Sequence, residues 1–167
     1  NADAVQMVHA LARLFRISIS KGHELIPVAR EIEHATSYLQ IQKYRYKNQF
    51  TYHFDVDPAC NEYLCNKITL QPIIENAITH GIGNRHGGGT VTIATQADTD
   101  NWRITVQDDG CGVDTVSPDG LPPPKASGIT SLANVRHRVE FITKGRLYFN
   151  SKKDRGTTVT ILLPRER

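Results

Sequence analysis

One segment of the chain brings together polar side chains that suit phosphate chemistry. Residues 68–80 predict a buried helix, and two of its turns carry Glu75, Asn76, Thr79 and His80. Asn76 and His80 are four residues apart and therefore share a face of that helix. A carboxamide oxygen can bind a hard divalent cation that bridges phosphates, and an imidazole one turn away can reach a phosphate oxygen. The simpler alternative is that both side chains only cap the helix end.

A second segment joins acidic residues to two closely spaced glycines. Residues 102–107 predict a strand that runs into the sequence DDGCG at 108–112. Gly110 and Gly112 would allow the backbone to approach a planar ligand closely, and Asp108 could accept a hydrogen bond from an exocyclic amine. Asp-Gly pairs are also common in hairpin turns, so a plain turn is the alternative.

Other stretches are rich in glycine or proline. Gly81, Gly83 and residues 87–89 form a flexible stretch, and Gly128 precedes the last long helix. A helix N-terminus after glycine favours an anion. Residues 114–127 hold four prolines, which excludes a helix or a central strand and predicts a loop that covers something.

Two amphipathic helices precede these segments. The first is predicted from an apolar stripe that ends near Lys21-Gly22, and the second from Pro27 in its first turn through to Lys47-Asn48. The apolar positions of the first stripe are Val5, Val8, Leu11, Ala12, Phe15 and Ile19. A hairpin of two such helices has more apolar face than one partner covers, which predicts packing on another chain or on the domain behind, with a homodimer as the favoured arrangement.

The remainder of the chain predicts strands that arrive mostly as hairpins. The predicted strands cover residues 50–56, 90–95, 102–107, 146–151 and 157–163, and a further helix covers 131–142. Helices placed between such hairpins indicate an α+β sandwich with the helices on one face of the sheet.

Composition narrows the class of protein. The 167 residues are 39% hydrophobic and 22% charged, which suits a globular core and excludes disorder or a disulfide-stapled miniprotein. No apolar run approaches the roughly 20 residues that span a bilayer, and no signal peptide is visible, so we expect a soluble chain. A net charge of +3 is too mild for a dedicated nucleic-acid binder.

Charge and cysteine placement add two expectations. Residues 61–135 carry four basic and eight acidic side chains, whereas residues 136–167 carry nine and three. An acidic middle beside a basic end fits a site that handles both a cation and an anion, with ordinary solvated charge as the alternative. Cys60, Cys65 and Cys111 lack the spacing of structural zinc or a disulfide framework, which predicts reduced cytoplasmic thiols.

Taken in order, these segments resemble the LytS-like sensor histidine kinases of the GHKL ATPase class. The sequence LQPIIENAITHG at 70–81 resembles the N box of that family, and DDGCG at 108–112 resembles its first glycine box. Its carboxyl-terminal end is similar to LANVRHR at 132–138 followed by GTTVT at 156–160. Its linker helix, which joins the dimerisation region to the ATPase domain, is similar to LQIQKYR at 39–45.

The resemblance covers about residues 10–164 and implies a fold and a division of the chain. It implies a two-layer α/β sandwich of the histidine-kinase ATPase type, in which a mixed sheet packs on helices. Residues 48–167 would form the ATP-binding catalytic domain. Residues 1–47 would form a helical hairpin that contains the end of the dimerisation region and the linker helix.

The resemblance also implies a role for each residue at the phosphate end of an ATP site. Asn76 would ligate magnesium, and Glu75 would orient the attacking group or accept its proton. His80 would contact a phosphate. ATP and Mg²⁺ are the cofactors that this implies.

At the adenine end, the resemblance implies that Asp108 accepts a hydrogen bond from the adenine amine. Gly110 and Gly112 would admit the ring, and Thr157 would support Asp108. Gly128 would allow a lid to close over the phosphates.

The function implied by the resemblance is transfer of the γ-phosphoryl group of ATP to a histidine and then to an aspartate on a response regulator receiver domain. The acceptor would lie upstream of residue 1, because His9, His23 and His34 lack the family's NPHFLYNTL-like context. These three histidines are interpreted as solvated or interface residues. The intact protein would be a homodimer on the cytoplasmic side of the bacterial inner membrane, attached through upstream segments, without a nucleic-acid partner.

Two alternatives remain open. In the segment GITSL at 128–132, Ser131 stands where the family's lid has a second glycine, which would suit a non-catalytic nucleotide-binding or dimer-scaffold module of a degenerate kinase. The other alternative is a different GHKL enzyme, such as a serine kinase acting on an anti-sigma partner, or a chaperone or DNA-repair ATPase. The predicted linker helix argues against this alternative, because those other GHKL enzymes lack such a helix.

Overall fold

Seven strands and four α-helices make up the described part of the chain in a computed structural model. The structure describes residues 2–18, 24–47, 49–82, 88–114, 120–122 and 132–165. The helices are α1 (Ala2–Ser18), α2 (Val28–Arg45), α3 (Leu70–Asn76) and α4 (Leu132–Arg138). The strands are β1 (Leu25–Pro27), β2 (Phe50–Val56), β3 (Leu64–Asn66), β4 (Gly89–Ala97), β5 (Asn101–Asp108), β6 (Arg146–Lys152) and β7 (Gly156–Pro164).

Five of the strands form one mixed sheet in the order β2-β4-β5-β7-β6. The edge strand β2 pairs parallel with β4, and the other three pairings are antiparallel. Helices α2, α3 and α4 join the sheet in one hydrophobic core. The predicted α+β sandwich, with a mixed sheet packed on helices, is therefore confirmed.

The alternation of side chains along the inner strands determines which residues face the helices. The buried hydrophobic side chains of β4, β5 and β7 at these positions are Val91, Ile93, Trp102, Ile104, Val106, Val159, Ile161 and Leu163. Each such side chain contributes about 1.5–3 kcal/mol by leaving water. On β5 the next position in this alternation is Asp108, so the pleat directs a carboxylate toward the helices at the end of the strand.

Several element boundaries differ from the predicted ones. Strands β1 and β3 form a two-stranded sheet. The sequence does not predict this sheet, because strands of three residues are too short to show an alternating pattern. Helix α3 begins two residues after the predicted start at 68, because Ile68 has a φ of 57° and lies outside the helical region. Pro27 precedes α2 rather than lying in its first turn.

Two of the helices continue into π-helical turns. Residues Ala77–Gly81 extend α3, and Val139–Thr143 extend α4. The prediction of a continuous helix over 68–80 assumed α-helical spacing throughout, whereas the i→i+5 pattern widens the turn after Asn76. The side chain of His80 lies outside the described residues, so the predicted face that it shares with Asn76 stays a prediction.

The predicted helical hairpin is present, with its two helices in contact. Arg13 on α1 donates to Ser37 Oγ at 3.3 Å and to Gln40 Oε1 at 3.0 Å on α2. Side chains of α1 at the predicted apolar face are exposed by 41–65%: Val5, Val8, Leu11 and Phe15. The predicted end of the first helix at Lys21-Gly22 lies outside the described residues.

Helix α2 lies deep in the structure. Ala35, Tyr38 and Leu39 belong to the same core as the sheet. His34 is also fully buried, so the prediction that it is a solvated or interface residue is wrong, and burial lowers the pKa of its imidazole. In the described ranges, no helix has the length and apolar character required to cross a membrane.

Candidate functional site

Asp108 is the buried polar end of strand β5. Its side chain is 4% exposed, and Oδ1 accepts a hydrogen bond from the backbone N–H of Gly110 at 2.9 Å. Burial raises the pKa of Asp108 to about 6; the neighbouring Asp109 contributes to this rise, and hydrogen bonds from the Gly110 and Thr157 backbones oppose it. A pKa near 6 leaves the group mostly ionised at neutral pH, and thus able to accept hydrogen bonds.

Thr157 is the direct cross-strand partner of Asp108 on β7. Its backbone lowers the pKa of Asp108, whereas its hydroxyl lies 2.8 Å from Ser151 Oγ. Ser151 in turn accepts from the N–H of Val113 at 2.9 Å. Thr157 therefore lies beside Asp108, and its hydroxyl joins a small network behind the glycine segment, whereas its support of Asp108 in ligand binding stays a prediction.

The two predicted segments meet at Gly81, the last residue of the π-helical turn. A Cβ on Gly81 would lie 2.6 Å from Asp108 Oδ1, and a Cβ on Gly110 would lie 2.6 Å from Gly81 Cα. The N–H of Cys111 donates to Gly81 O at 3.2 Å. Because no side chain fits between these backbones, the helix end and the glycine segment pack directly against each other.

The glycines of the second segment thus have a packing role. Gly112 has a φ of 61°, and a Cβ there would collide with the carbonyl of Lys152. The sequence pattern attributes the glycines at 110 and 112 to the close approach of a planar ligand. In the structure their missing side chains are required by the chain itself, and contact with an adenine ring stays a prediction.

Two of the predicted phosphate-end residues lie on the last turn of α3. Glu75 and Asn76 are both half-buried. Asn76 makes no capping hydrogen bond, so the alternative that its side chain only caps the helix is not supported. Glu75 lies close enough to Tyr38 on α2 to raise the pKa of that phenol, second to the effect of burial.

Several predicted positions lie outside the described residues. These are Ile19, His23, Gly83, Gly87, Gly128, Thr130, Ser131 and the side chain of His80. In the proline-rich segment the structure describes 114 and 120–122, and Leu121 is buried in the core. That part of the predicted loop therefore packs on the domain.

The described residues do not form a metal site made of protein side chains alone. No group of three or more His, Cys, Asp and Glu side chains suited to a metal ion occurs among them. The side chain of Asn76 makes no capping hydrogen bond, which leaves its carboxamide oxygen as a candidate ligand. That donor suits Mg²⁺, which usually keeps several waters and binds through few protein oxygens and the substrate phosphates.

The sequence analysis missed Glu31, whose carboxylate accepts three backbone N–H groups at the start of α3, from Ile68, Thr69 and Leu70. A signal was present in the sequence, because Glu31 falls on the apolar stripe of α2, four residues before Ala35. An acidic residue on a buried face requires partners.

Comparison with known proteins assigns the family. Residues 65–167 match the family model described as "Histidine kinase-, DNA gyrase B-, and HSP90-like ATPase", and residues 1–50 match the model described as "Histidine kinase". Among curated proteins, the chain is 31% identical to the sensor histidine kinase YpdA of Escherichia coli strain K12, over 98% of this chain and 29% of that protein. It is 27% identical to the sensor protein LytS of Staphylococcus epidermidis, over 96% of this chain and 28% of that protein.

Solved structures agree on the fold. The Acinetobacter baumannii histidine kinase AdeS aligns with a TM-score of 0.65 at 20% identity, covering 98% of this chain and 77% of that one. The histidine kinase domain of the Erythrobacter litoralis EL346 blue-light activated kinase aligns with a TM-score of 0.63 at 18% identity, covering 98% and 75%. The chain spans less than a third of the length of YpdA and LytS. It belongs to the family of histidine kinase-, DNA gyrase B- and HSP90-like ATPases, and within that family it is a LytS-like ATP-binding catalytic domain of a sensor histidine kinase.

Proposed function

We propose that this domain binds ATP with Mg²⁺ and, in the intact protein, transfers the γ-phosphoryl group to a histidine and from there to an aspartate of a response regulator receiver domain. One observation carries the proposal. The buried Asp108 carboxylate stands against Gly81, the end of the helix that carries Glu75 and Asn76. This adjacency supports a single site in which an amine acceptor and the phosphate-end side chains act on one ligand.

At the adenine end, Asp108 accepts a hydrogen bond from the exocyclic amine. The carboxylate is almost entirely removed from water and accepts a hydrogen bond from the Gly110 backbone, and a ligand amine would add another hydrogen bond to it. Hydrogen bonds to a charged group typically contribute about 1.5–3 kcal/mol. Thr157 supports this carboxylate from the neighbouring strand.

At the phosphate end, Asn76 holds Mg²⁺ through its carboxamide oxygen, and His80 contacts a phosphate. Bound Mg²⁺ neutralises charge on the phosphates, which is the main requirement of phosphoryl transfer. Glu75 orients the attacking group or accepts its proton. Gly128 precedes the segment that closes over the phosphates. The proximity of Glu75 to Tyr38 supports a role for α2 in fixing that side chain.

The partners follow from the relatives and from the exposed surface. The apolar face of α1 formed by Val5, Val8, Leu11 and Phe15 supports a homodimer of the intact protein. His34 is buried and is therefore unsuited as the phosphoacceptor, which we place upstream. We place the intact kinase on the cytoplasmic side of the bacterial inner membrane. The division at residue 47 between hairpin and catalytic domain is part of the proposal.

The test is autophosphorylation of the full-length protein with radiolabelled ATP and Mg²⁺. Asn76→Ala should lower the rate by about a hundredfold or more, as expected for loss of a group that positions charge in the transition state. Asn101→Ala, an exposed asparagine at the start of β5, is the matched control and should keep the wild-type rate. Wild-type activity in Asn76→Ala would contradict the role of Asn76.

The same preparation separates the kinase from a non-catalytic module. A kinase labels its own histidine and then passes the label to a receiver domain. A degenerate scaffold binds nucleotide but transfers nothing, even when an acceptor domain is supplied.

A further inference from the structure

The buried carboxylate of Glu31 caps the helix that carries the phosphate-end residues, and it does so from another helix. Oε1 accepts the N–H of Ile68 at 3.0 Å, and Oε2 accepts those of Thr69 and Leu70 at 2.7 and 3.0 Å. Glu31 is fully buried. The first N–H groups of a helix have no partner within the helix, and here a side chain from the first turn of α2 binds them.

The local residue that could cap α3 does not do so. Thr69 occupies the N-cap position, where threonine commonly accepts a helix N–H, but it makes no capping hydrogen bond. Its hydroxyl donates instead to Asn66 O at 2.8 Å. The capping role is therefore carried by α2 rather than by the segment that precedes α3.

The turn that Glu31 binds has an unfavourable backbone conformation. Ile68 has a φ of 57°, which a β-branched residue rarely adopts. Such a conformation costs on the order of 1–3 kcal/mol and persists where surrounding contacts fix it. The hydrogen bond from Ile68 N–H to Glu31 is one of those contacts.

A second set of contacts fixes the residues just before α3. Arg138 on α4 donates to Lys67 O and to Glu24 Oε1, both at 2.6 Å. Asn66 Nδ2 donates to Arg138 O at 3.4 Å. Burial raises the pKa of Glu31, while its three amide hydrogen bonds and then the Arg138 guanidinium oppose that shift.

Stability alone does not account for a buried carboxylate at this place. Removing such a group from water is costly, and apolar residues of similar volume often serve stability as well or better. What the carboxylate adds is a fixed distance between α2 and α3. Because Asn76 lies only about 9 Å along the helix axis from Leu70, a shift of the capped end carries over to Glu75 and Asn76.

We propose that Glu31 is a positioning residue that fixes the α3 helix to the linker helix α2, so that a displacement of α2 is transmitted to the magnesium and phosphate end of the nucleotide site. This inference rests on the proposed function for the meaning of that site. The coupling between the two helices can nevertheless be measured without any nucleotide.

The first experiment is amide hydrogen exchange of the nucleotide-free protein, comparing Glu31→Gln with wild type. Amides of residues 70–81 should exchange about tenfold or more faster, relative to any change in β5, because at least one buried cap bond is lost. The matched control is Glu33→Gln, an exposed glutamate on the same helix, which should leave exchange unchanged. Uniform acceleration in α3 and β5 would indicate a merely structural residue and overturn the proposal.

The second experiment is calorimetric titration with a non-hydrolysable ATP analogue, with and without Mg²⁺. In Glu31→Gln, the factor by which Mg²⁺ increases the affinity for the analogue should be about tenfold smaller than in wild type, equivalent to about 1.4 kcal/mol. Its affinity without Mg²⁺ should change less than about twofold, because Asp108 is untouched. A wild-type Mg²⁺ gain in the folded variant would overturn the proposal.

A third variant keeps both experiments decisive. If Glu31→Gln does not fold, the double variant Glu31→Gln/Ile68→Gly replaces it, because glycine adopts a positive φ without strain. The same expectations apply to that variant. If the wild type binds no nucleotide, the proposed function fails, and the exchange measurement alone decides whether α2 positions α3.

Discussion

At the scale of single residues, Asp108 has two opposed effects. Its carboxylate is removed from water, which is unfavourable for the folded protein, and the pKa is raised to about 6 for that reason. The same burial strengthens any hydrogen bond that it accepts from a ligand. Binding and stability should therefore respond in opposite directions to its replacement.

Asp108→Asn should weaken nucleotide binding. The asparagine keeps an oxygen that accepts the Gly110 N–H, but it removes the charge and presents an NH₂ group that conflicts with the adenine amine. We expect a loss of about 1.5–3 kcal/mol, roughly 10- to 100-fold in Kd, by calorimetry. Asp100→Asn, in the exposed turn before β5, is the control, and equal affinities for the two variants would contradict the assignment.

The same substitution should stabilise the free protein at neutral pH. The pKa of Asp108 rises from 3.8 to about 6 on folding, so the folded state binds this proton more tightly than the unfolded chain. Its contribution to stability is therefore present below about pH 4 and is lost as pH rises through about 6. Relative to wild type, the unfolding free energy of Asp108→Asn should increase by about 3 kcal/mol between these limits.

Urea denaturation at a series of pH values measures this difference. A pH-independent difference between wild type and Asp108→Asn would mean that the carboxylate is not desolvated in the folded state. Asp100→Asn serves again as the control, and its curve should run parallel to that of the wild type.

At the scale of elements, contact between the π-helical turn and the glycine segment should depend on the absence of a side chain. Gly110→Ala places a methyl group against the Gly81 backbone, which cannot move away as a flexible side chain can. We expect a loss of about 3 kcal/mol in unfolding free energy, the upper part of the range for overpacking.

Gly120→Ala is the comparison for that substitution. Gly120 has a φ of 79° and open space around its Cβ position, so only backbone strain of about 1 kcal/mol applies. Denaturant midpoints of the two variants give the comparison. If Gly110→Ala lowers the unfolding free energy less than Gly120→Ala does, the helix end does not pack closely on the glycine segment.

Elements with a strong repeating pattern could be predicted from the sequence, and elements fixed by remote contacts could not. The alternation in β2 and β5 gave their positions to within a residue or two, and the order of charged and glycine residues placed Asp108 at a strand end. Strands β1 and β3 pair with each other over three residues, which leaves no periodic signal. The start of α3 depends on the positive φ of Ile68 and on the cap from Glu31. The helix propensities of the local residues predict neither of these features.

The residues of the candidate site could be proposed from the sequence, but the contacts between them could not. The types and spacing of Glu75, Asn76 and Asp108 indicated phosphate and amine chemistry before any fold was known. That Gly81 fills the space between Gly110 and Asp108 depends on how a helix end meets a strand end. Such a meeting is set by tertiary packing, which no stretch of sequence encodes by itself.

At the scale of the whole molecule, the exposed face of α1 is the surface most open to a test of assembly. In the intact kinase, Val8→Glu combined with Phe15→Glu should raise the dimer dissociation constant at least about tenfold, because charges would enter an apolar interface. Sedimentation equilibrium measures this constant. Phe141→Glu, at a side chain that is 69% exposed on another helix, is the control, and an equal effect from it would argue against α1 as the interface.

The mixed sheet also has a consequence for the order in which the chain acquires structure. Strands β4 and β5 are joined by the short turn at 98–100, and β6 and β7 by 153–155, whereas Thr51 on β2 meets Thr90 on β4 across 39 positions. Closing the longer loop costs more entropy and comes later. During synthesis β2 therefore leaves the ribosome early and stays unpaired until β4 has folded against its hairpin partner, and over that interval it is the part of the domain most open to mispairing.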